Sequence, residues 1–97
     1  MKYKVLLEPE AIEDFQKAID FYNAKRPMQG GKFKKVVTQH LNTLKVNPFF
    51  AIRYDDIRCL PVKKYPYLIH FTILEDENKV EVHAISHTSQ NNPSLIE

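Results

Sequence analysis

Tyr3, Val5 and Leu7 alternate with Lys2, Lys4 and Glu8, a two-residue period that predicts a short strand. Pro9 follows in the position of a first helical residue, with Glu10, Glu13 and Asp14 in the opening turns, where negative charge suits the helix dipole. Ile12, Phe15, Ile19 and Tyr22 then recur at three- and four-residue steps, flanked by Ala11 and Ala18, and mark an amphipathic helix from about Pro9 to Lys25. Arg26-Pro27 and Gly30-Gly31 form the expected break. A second stripe, Phe33, Val36, Val37, His40, Leu41 and Leu44, ends at Asn47-Pro48, which cannot continue a helix. So short a break favours an antiparallel helical hairpin.

Beyond Pro48 the period returns to two. Strands are expected over Ile57 to Val62, Tyr67 to Leu74 and Lys79 to His87, with the polar segment Glu75-Asp76-Glu77-Asn78 as a turn. The expected fold class is α+β in the order β-α-α-β-β-β, a helical hairpin packed on one face of an antiparallel sheet. The 97 residues fit a single domain, 1–97, with no second core.

If residues 75–78 form a four-residue loop, Leu74 opposes Lys79 and the pairing runs one for one along both strands. One face then carries Tyr67, Ile69, Phe71 and Ile73 opposite Ser86, Ala84, Val82 and Val80, and must pack on the helices. The other carries Leu68, His70, Thr72 and Leu74 opposite Ile85, His83, Glu81 and Lys79, with His87 beyond. A half-apolar sheet face of this kind marks a docking surface.

Composition narrows the classes. Hydrophobic residues make up 43% and aromatics 11%, which is globular and not disordered. Cys59 is the only cysteine, so neither an internal disulfide nor a multi-thiolate metal site can form. No apolar run is long enough for a membrane span or leader, so the cytoplasm is the expected compartment and a membrane role is not expected. The chain starts directly on a structured pattern, and no cleaved segment is expected. Net charge is +2, with nine Lys/Arg against five Asp/Glu in residues 1–48 and five against seven in residues 49–97. That is not the basic surface of a protein living on DNA, though it suits transient RNA contact or an acidic protein partner.

Several residues nevertheless carry a fairly specific resemblance. Ala11-Ile12-Glu13-Asp14 opens the first helix, Lys32-Phe33 lies early in the second, and Leu44 precedes Asn47-Pro48 at its end. Arg58 lies in the next strand, Pro66-Tyr67-Leu68-Ile69 enters the strand after that, and Ile85-Ser86-His87 sits near the end. In this combination, over nearly the whole length, the chain resembles the RelE/ParE superfamily of type II toxin–antitoxin toxins, which includes plasmid stabilisation proteins. The resemblance implies a growth-inhibiting toxin neutralised by a cognate antitoxin that lays extended or helical segments across it. ParE-like members poison DNA gyrase. Ribosome-dependent members instead cut mRNA in the ribosomal A site without a metal, using basic residues on the ribose 2′-hydroxyl, the phosphorane-like charge and the leaving oxygen.

Carried onto this sequence, the nuclease pattern selects Arg58, Lys64 and His87 as catalytic candidates, with Arg53 and Lys63 as further basic contacts. Where such a nuclease presents an arginine on the strand after Pro66, this chain has Leu68. After His87 come only Thr88, Ser89 and Gln90. A missing charge stabiliser of this kind is worth about a hundredfold or more in rate. The expected binding face is therefore Arg53, Lys63, Leu68, His70, His83 and Ile85, and the target is DNA gyrase or, alternatively, the ribosome and its mRNA. A degenerate member retaining only protein binding is the third reading. A homodimer and a hetero-oligomer with the antitoxin are both compatible with the sequence.

The basic residues also fit a plain solvated strand edge. Lys63 and Lys64 are adjacent, so at most one belongs to a site within a strand. In the register above His70 and His83 oppose each other, but His87 lies roughly 13 Å beyond His83, and Glu81 would have to bend inward as a third ligand. No metal and no cofactor are expected. His40 falls on the apolar stripe of the second helix and reads as a boundary histidine. Cys59 reads as a small core residue, and Tyr54-Asp55-Asp56 as a solvated loop before a strand. Tyr54 or Tyr65 would stack on a base only beside a basic groove.

Overall fold

The computed structural model describes residues 2–89, and the Asn91-Asn92-Pro93 tail lies outside them. The elements are β1 (Lys4–Leu7), α1 (Pro9–Lys25), α2 (Gln29–Val46), β2 (Ile52–Tyr54), β3 (Ile57–Pro61), β4 (Tyr67–Leu74), a 3₁₀ turn (Glu75–Glu77) and β5 (Lys79–His87). The expected order stands, with the short β2 added ahead of β3. The sheet runs β1-β5-β4-β3-β2, and both helices cover one face. It is mixed and not wholly antiparallel, because β1 pairs parallel to β5 from Lys4↔Lys79 to Leu7↔Val82. A parallel neighbour this far away in sequence leaves no local signal.

Pro9 starts α1 where its missing N–H has no helical partner to lose. Ala11 and Ala18 are fully buried, and their small side chains let α1 lie close to the sheet. Only residues 26–28 separate the helices, with Met28 left-handed at φ 71°. Gly30 and Gly31, expected in the break, are helical instead. Gly30 faces α1, where its N–H donates to Asn23 Oδ1 at 2.8 Å and a Cβ would collide with the Ile19 carbonyl oxygen.

The core centres on Phe33, whose ring meets Phe15, Tyr22, Tyr65 and Tyr67 at centroid distances of 5.0–6.1 Å. Val37 and Leu44 from α2 join Leu60, Ile69, Phe71, Val80, Val82 and Ile85 from the sheet. Each such side chain contributes roughly 1.5–3 kcal/mol on burial. His40 is the expected boundary histidine. Its Nε2 accepts the Lys63 N–H at 3.1 Å, so its Nδ1–H donates to the Val36 carbonyl at 2.7 Å, tying α2 to the β3–β4 turn.

The expected register holds from Leu74↔Lys79 to Phe71↔Val82 and then slips. His70 pairs with Ala84, Ile69 with Ile85, Leu68 with Ser86 and Tyr67 with His87, leaving His83 as the extra residue of a β-bulge. The slip exchanges the faces of everything beyond it. Ile85 goes under the helices, fully buried, and Ala84 and Ser86 move to the second face. The unslipped register would have put a serine hydroxyl and an alanine in the core while turning an isoleucine outwards.

Candidate functional site

The second face of the sheet, expected to be an open surface, is closed at its centre: Leu68, His70 and Thr72 are all buried, His70 to 3% exposure. Cys59 is the sheet partner of His70 and lies beside it. The Tyr54 hydroxyl approaches His70 Nδ1 at 3.1 Å, Cys59 Sγ approaches the same nitrogen at 3.4 Å, and Ser86 Oγ lies 2.7 Å from Nε2. Burial, and next to it the positive charge of Arg53, push the His70 pKa below its ordinary value. Burial likewise raises Cys59 and Tyr54. The phenol therefore keeps its proton and donates to Nδ1, with the protonated thiol in weaker contact with the same nitrogen, while Nε2–H donates to Ser86. This histidine is neutral and hydrogen-bonded on both ring nitrogens, an arrangement that positions strands β2, β3, β4 and β5. A protonated thiol with a raised pKa is a poor nucleophile, so Cys59 remains the small core residue the sequence suggested.

His83, turned out by the bulge, is not opposite His70. Its Nε2 lies 2.9 Å from Thr72 Oγ1 and its Nδ1 2.9 Å from Glu8 Oε2, with Glu81 beside both. Glu8 is brought there by the parallel β1–β5 pairing, where its N–H donates to the Val82 carbonyl at 2.9 Å. Sequence reasoning missed it because Glu8 reads only as the residue before a helix.

Three candidates proposed as one catalytic group are spread over the molecule. Arg58 pairs with Phe71 on the helix-covered side, where its guanidinium donates to the Phe50 carbonyl at 2.7 Å and lies 5.7 Å from the Phe49 ring. His87 also lies on that side, beyond the bulge, and packs edge-on to Tyr67 at 5.2 Å. Phe71 and Tyr67 are four residue steps apart along β4, so the backbones of Arg58 and His87 sit at least roughly 13 Å apart. Lys64 occupies the β3–β4 turn at φ 74°, next to Lys63 and at the His87 end of the sheet, where Thr88 N–H donates to the Pro66 carbonyl at 2.9 Å. His87 Nδ1 accepts the Ser89 N–H at 3.1 Å, and the residue lines a cleft of about 320 Å³. That cleft lies between α1 and the end of β5 and includes Asp14, Lys17, Phe21, Tyr67 and His87. Of the expected binding residues, Leu68, His70 and Ile85 are buried, His83 is held by Glu8 and Thr72, and Arg53 and Lys63 are exposed.

Arg53 lies on β2, the edge strand, all three residues of which are exposed. Phe49 and Ile52 beside it each expose 53% of their surface. Ile52 pairs with Arg58 and so lies with Phe49 on the helix-covered side, Tyr54 turns to His70 on the second face, and among the described residues no strand pairs with the outer edge of β2.

A family model described as the ParE toxin of the type II toxin–antitoxin system parDE matches residues 5–92. The chain belongs to the ParE toxin family. No curated protein matches it. Among solved structures, the chromosomal ParDE toxin–antitoxin system of P. aeruginosa superposes with a TM-score of 0.77 at 14% identity, over 89% of this chain and 96% of that one. The intact E. coli RelBE toxin–antitoxin complex gives 0.55 at 12% identity, over 88% and 95%. A mutant of E. coli toxin RelE in complex with a RelB antitoxin peptide gives 0.54 at 12% identity, over 100% and 97%. At these identities the superpositions establish the fold, and the family match establishes a type II toxin–antitoxin toxin of the RelE/ParE superfamily. Among the described residues, no helix of this ParE-family chain is long and apolar enough to cross a membrane.

Proposed function

We propose that this ParE-family chain is a cytoplasmic growth inhibitor that acts on DNA gyrase and is neutralised by a cognate antitoxin docking along β2. The observation that carries the docking site is the exposed β2 edge, with Phe49 and Ile52 beside it and Arg53 on it. Free N–H and C=O groups on an edge strand accept an added strand, and the flanking rings give it an apolar seat. Arg53 favours an acidic segment. This moves the antitoxin from the centre of the second face, whose Leu68 and His70 are buried, to the β2 edge of the sheet. The gyrase reading rests on the family match and on the separation of Arg58 from His87, since a nuclease needs its acid, base and charge stabiliser around one phosphate.

One observation favours the second reading, a ribosome-dependent mRNA endonuclease: the β3–β4 turn with Lys63 and Lys64 lies at the same end of the sheet as His87, although the lysines border α2 at His40 and His87 borders the α1–β5 cleft. Expression in bacteria without the partner gene separates the two. The gyrase reading expects growth arrest with double-strand DNA breaks and intact mRNA, unchanged in Arg58→Ala and His87→Ala. Cleavage of mRNA in the A site, lost in those variants, would instead establish the nuclease. Absence of arrest would leave a degenerate member that keeps only protein binding. For the docking surface, Ile52→Asp combined with Phe49→Ser is expected to abolish capture of the antitoxin encoded beside this gene, while Leu6→Ser at the opposite margin leaves capture intact.

A further inference from the structure

We infer that Glu8, Glu81 and His83 form a binding site for a divalent cation of the Zn²⁺ or Mn²⁺ class. Their ligand atoms all lie within 4.8 Å of one another. Two carboxylate oxygens and one imidazole nitrogen suit such borderline ions, whose bonds to N and O run about 2.0–2.2 Å. Ligands on one ion sit roughly 3–3.5 Å apart, so rotamer adjustments of about 1 Å in the two glutamates close the set around it.

Three features make this more than a chance meeting of surface charges. The sheet fixes the position of all three residues: Glu81 opposite Leu6 in the β1–β5 ladder, Glu8 anchored by its bond to Val82, and His83 turned out as the bulged residue between the paired Val82 and Ala84 of β5. Bulges often re-aim a side chain in this way. Next, His83 already has the outer partner that metal-binding histidines use. Thr72 Oγ1, on a buried residue, lies 2.9 Å from Nε2. The hydroxyl donates to Nε2 in the tautomer with the proton on Nδ1 and accepts from Nε2–H in the other neutral tautomer, in which the single ring proton sits on Nε2 and the Nδ1 lone pair is free for the metal. Finally, the His83 imidazole is the one basic group set against the two carboxylates among the described residues. Among the described residues neither Glu8 nor Glu81 lies within ion-pair distance of a Lys or Arg, and Lys79, along the same strand, is engaged by Glu77 at 3.1 Å. The His83 and Glu8 side chains are 29% and 40% exposed, which leaves the ion a way in and room for water in its remaining positions.

The test is calorimetric titration of the full chain with zinc chloride, repeated with manganese chloride, with melting temperature followed in parallel. A single Zn²⁺ per chain is expected, with a rise in melting temperature reversed by EDTA. Glu81→Gln is expected to weaken binding at least tenfold without changing the melting temperature in EDTA, and Thr72→Val to weaken it about 10–100-fold through the outer partner. His87→Ala and Cys59→Ser are expected to leave binding unchanged. Absence of binding at millimolar zinc, equal affinity in Glu81→Gln, or loss of binding in His87→Ala would each overturn the assignment.

Discussion

Asp14 Oδ2 accepts the backbone N–H of Ile85 at 3.1 Å, joining a side chain on α1 to a strand 71 residues away. The last backbone bond from the β1 side reaches β5 at Val82, so beyond that point α1 supplies a partner that a strand would otherwise give. The acceptor also locks the slipped register, because only after the bulge does Ile85 face the helices.

Removing that acceptor strands a buried donor. Asp14→Ala is expected to reduce unfolding free energy by about 1–3 kcal/mol, and Asp14→Asn, which keeps an accepting oxygen, by clearly less. Urea denaturation monitored by circular dichroism measures both. Equal losses in the two variants would mean that the contact matters through helix charge and not through the hydrogen bond.

The two glycines of α2 should respond in opposite ways. A Cβ on Gly30 would overlap the Ile19 carbonyl and stand 2.6 Å from Asn23 Cγ, so the helices would have to part. Gly30→Ala is expected to destabilise by about 1–3 kcal/mol. Nothing lies within 4 Å of a Cβ on Gly31, and Gly31→Ala is expected to stabilise by up to about 1 kcal/mol through helix propensity. Thermal melts of the pair decide the point.

Stability should fall in mild acid because of His70. Folded His70 resists protonation, its pKa held down first by burial, whereas in the unfolded chain it titrates near its ordinary 6.5. Below that pH the unfolded chain takes up more protons than the folded one, so stability declines as pH falls, until the folded group itself titrates. Above pH 6.5 this contribution is flat. Chemical denaturation of wild type and His70→Gln between pH 7.5 and roughly 5, above the ordinary carboxylate range, should show a steeper slope in the wild type. Parallel slopes would assign the acid sensitivity elsewhere.

Lys64 adopts a left-handed conformation at φ 74°, which costs a residue with a Cβ roughly 1–2 kcal/mol. Lys64→Gly should therefore hold or raise stability by up to about 1 kcal/mol while removing the charge, the greater freedom of glycine in the unfolded chain offsetting part of the gain. The same variant tests the nuclease reading without confounding by misfolding. Toxicity retained in a stable Lys64→Gly protein excludes this ammonium from catalysis, and its loss implicates Lys64 in the target contact.

Much of the fold was legible because the signals for it are local. The Pro9–Lys25 helix, β4 and β5 lie where the periods placed them, and Val80 and Val82 are buried as their alternation with Lys79 and Glu81 required. β2 was not legible: Ile52-Arg53-Tyr54 carries no period of its own and is a strand only because β3 pairs with it. The bulge left one trace, the move of large apolar residues from even positions, Val80 and Val82, to the odd position Ile85. The His70 group was half visible. His70 was expected on the second face, but Cys59 and Ser86 joined it only once the β3 and β5 registers were known.

What the sequence by itself determined is which segments are helix or strand and which side chains seek the core, since periods of 3.6 and 2 are written within a few consecutive residues. The tertiary structure alone decided that β1 runs parallel to β5, that one bulged residue turns Ile85 and His87 under the helices, and that Glu8 meets His83. Pairing register belongs to two distant segments at once. A one-residue slip alters no residue in the sequence, yet it moves every side chain beyond it to the other face.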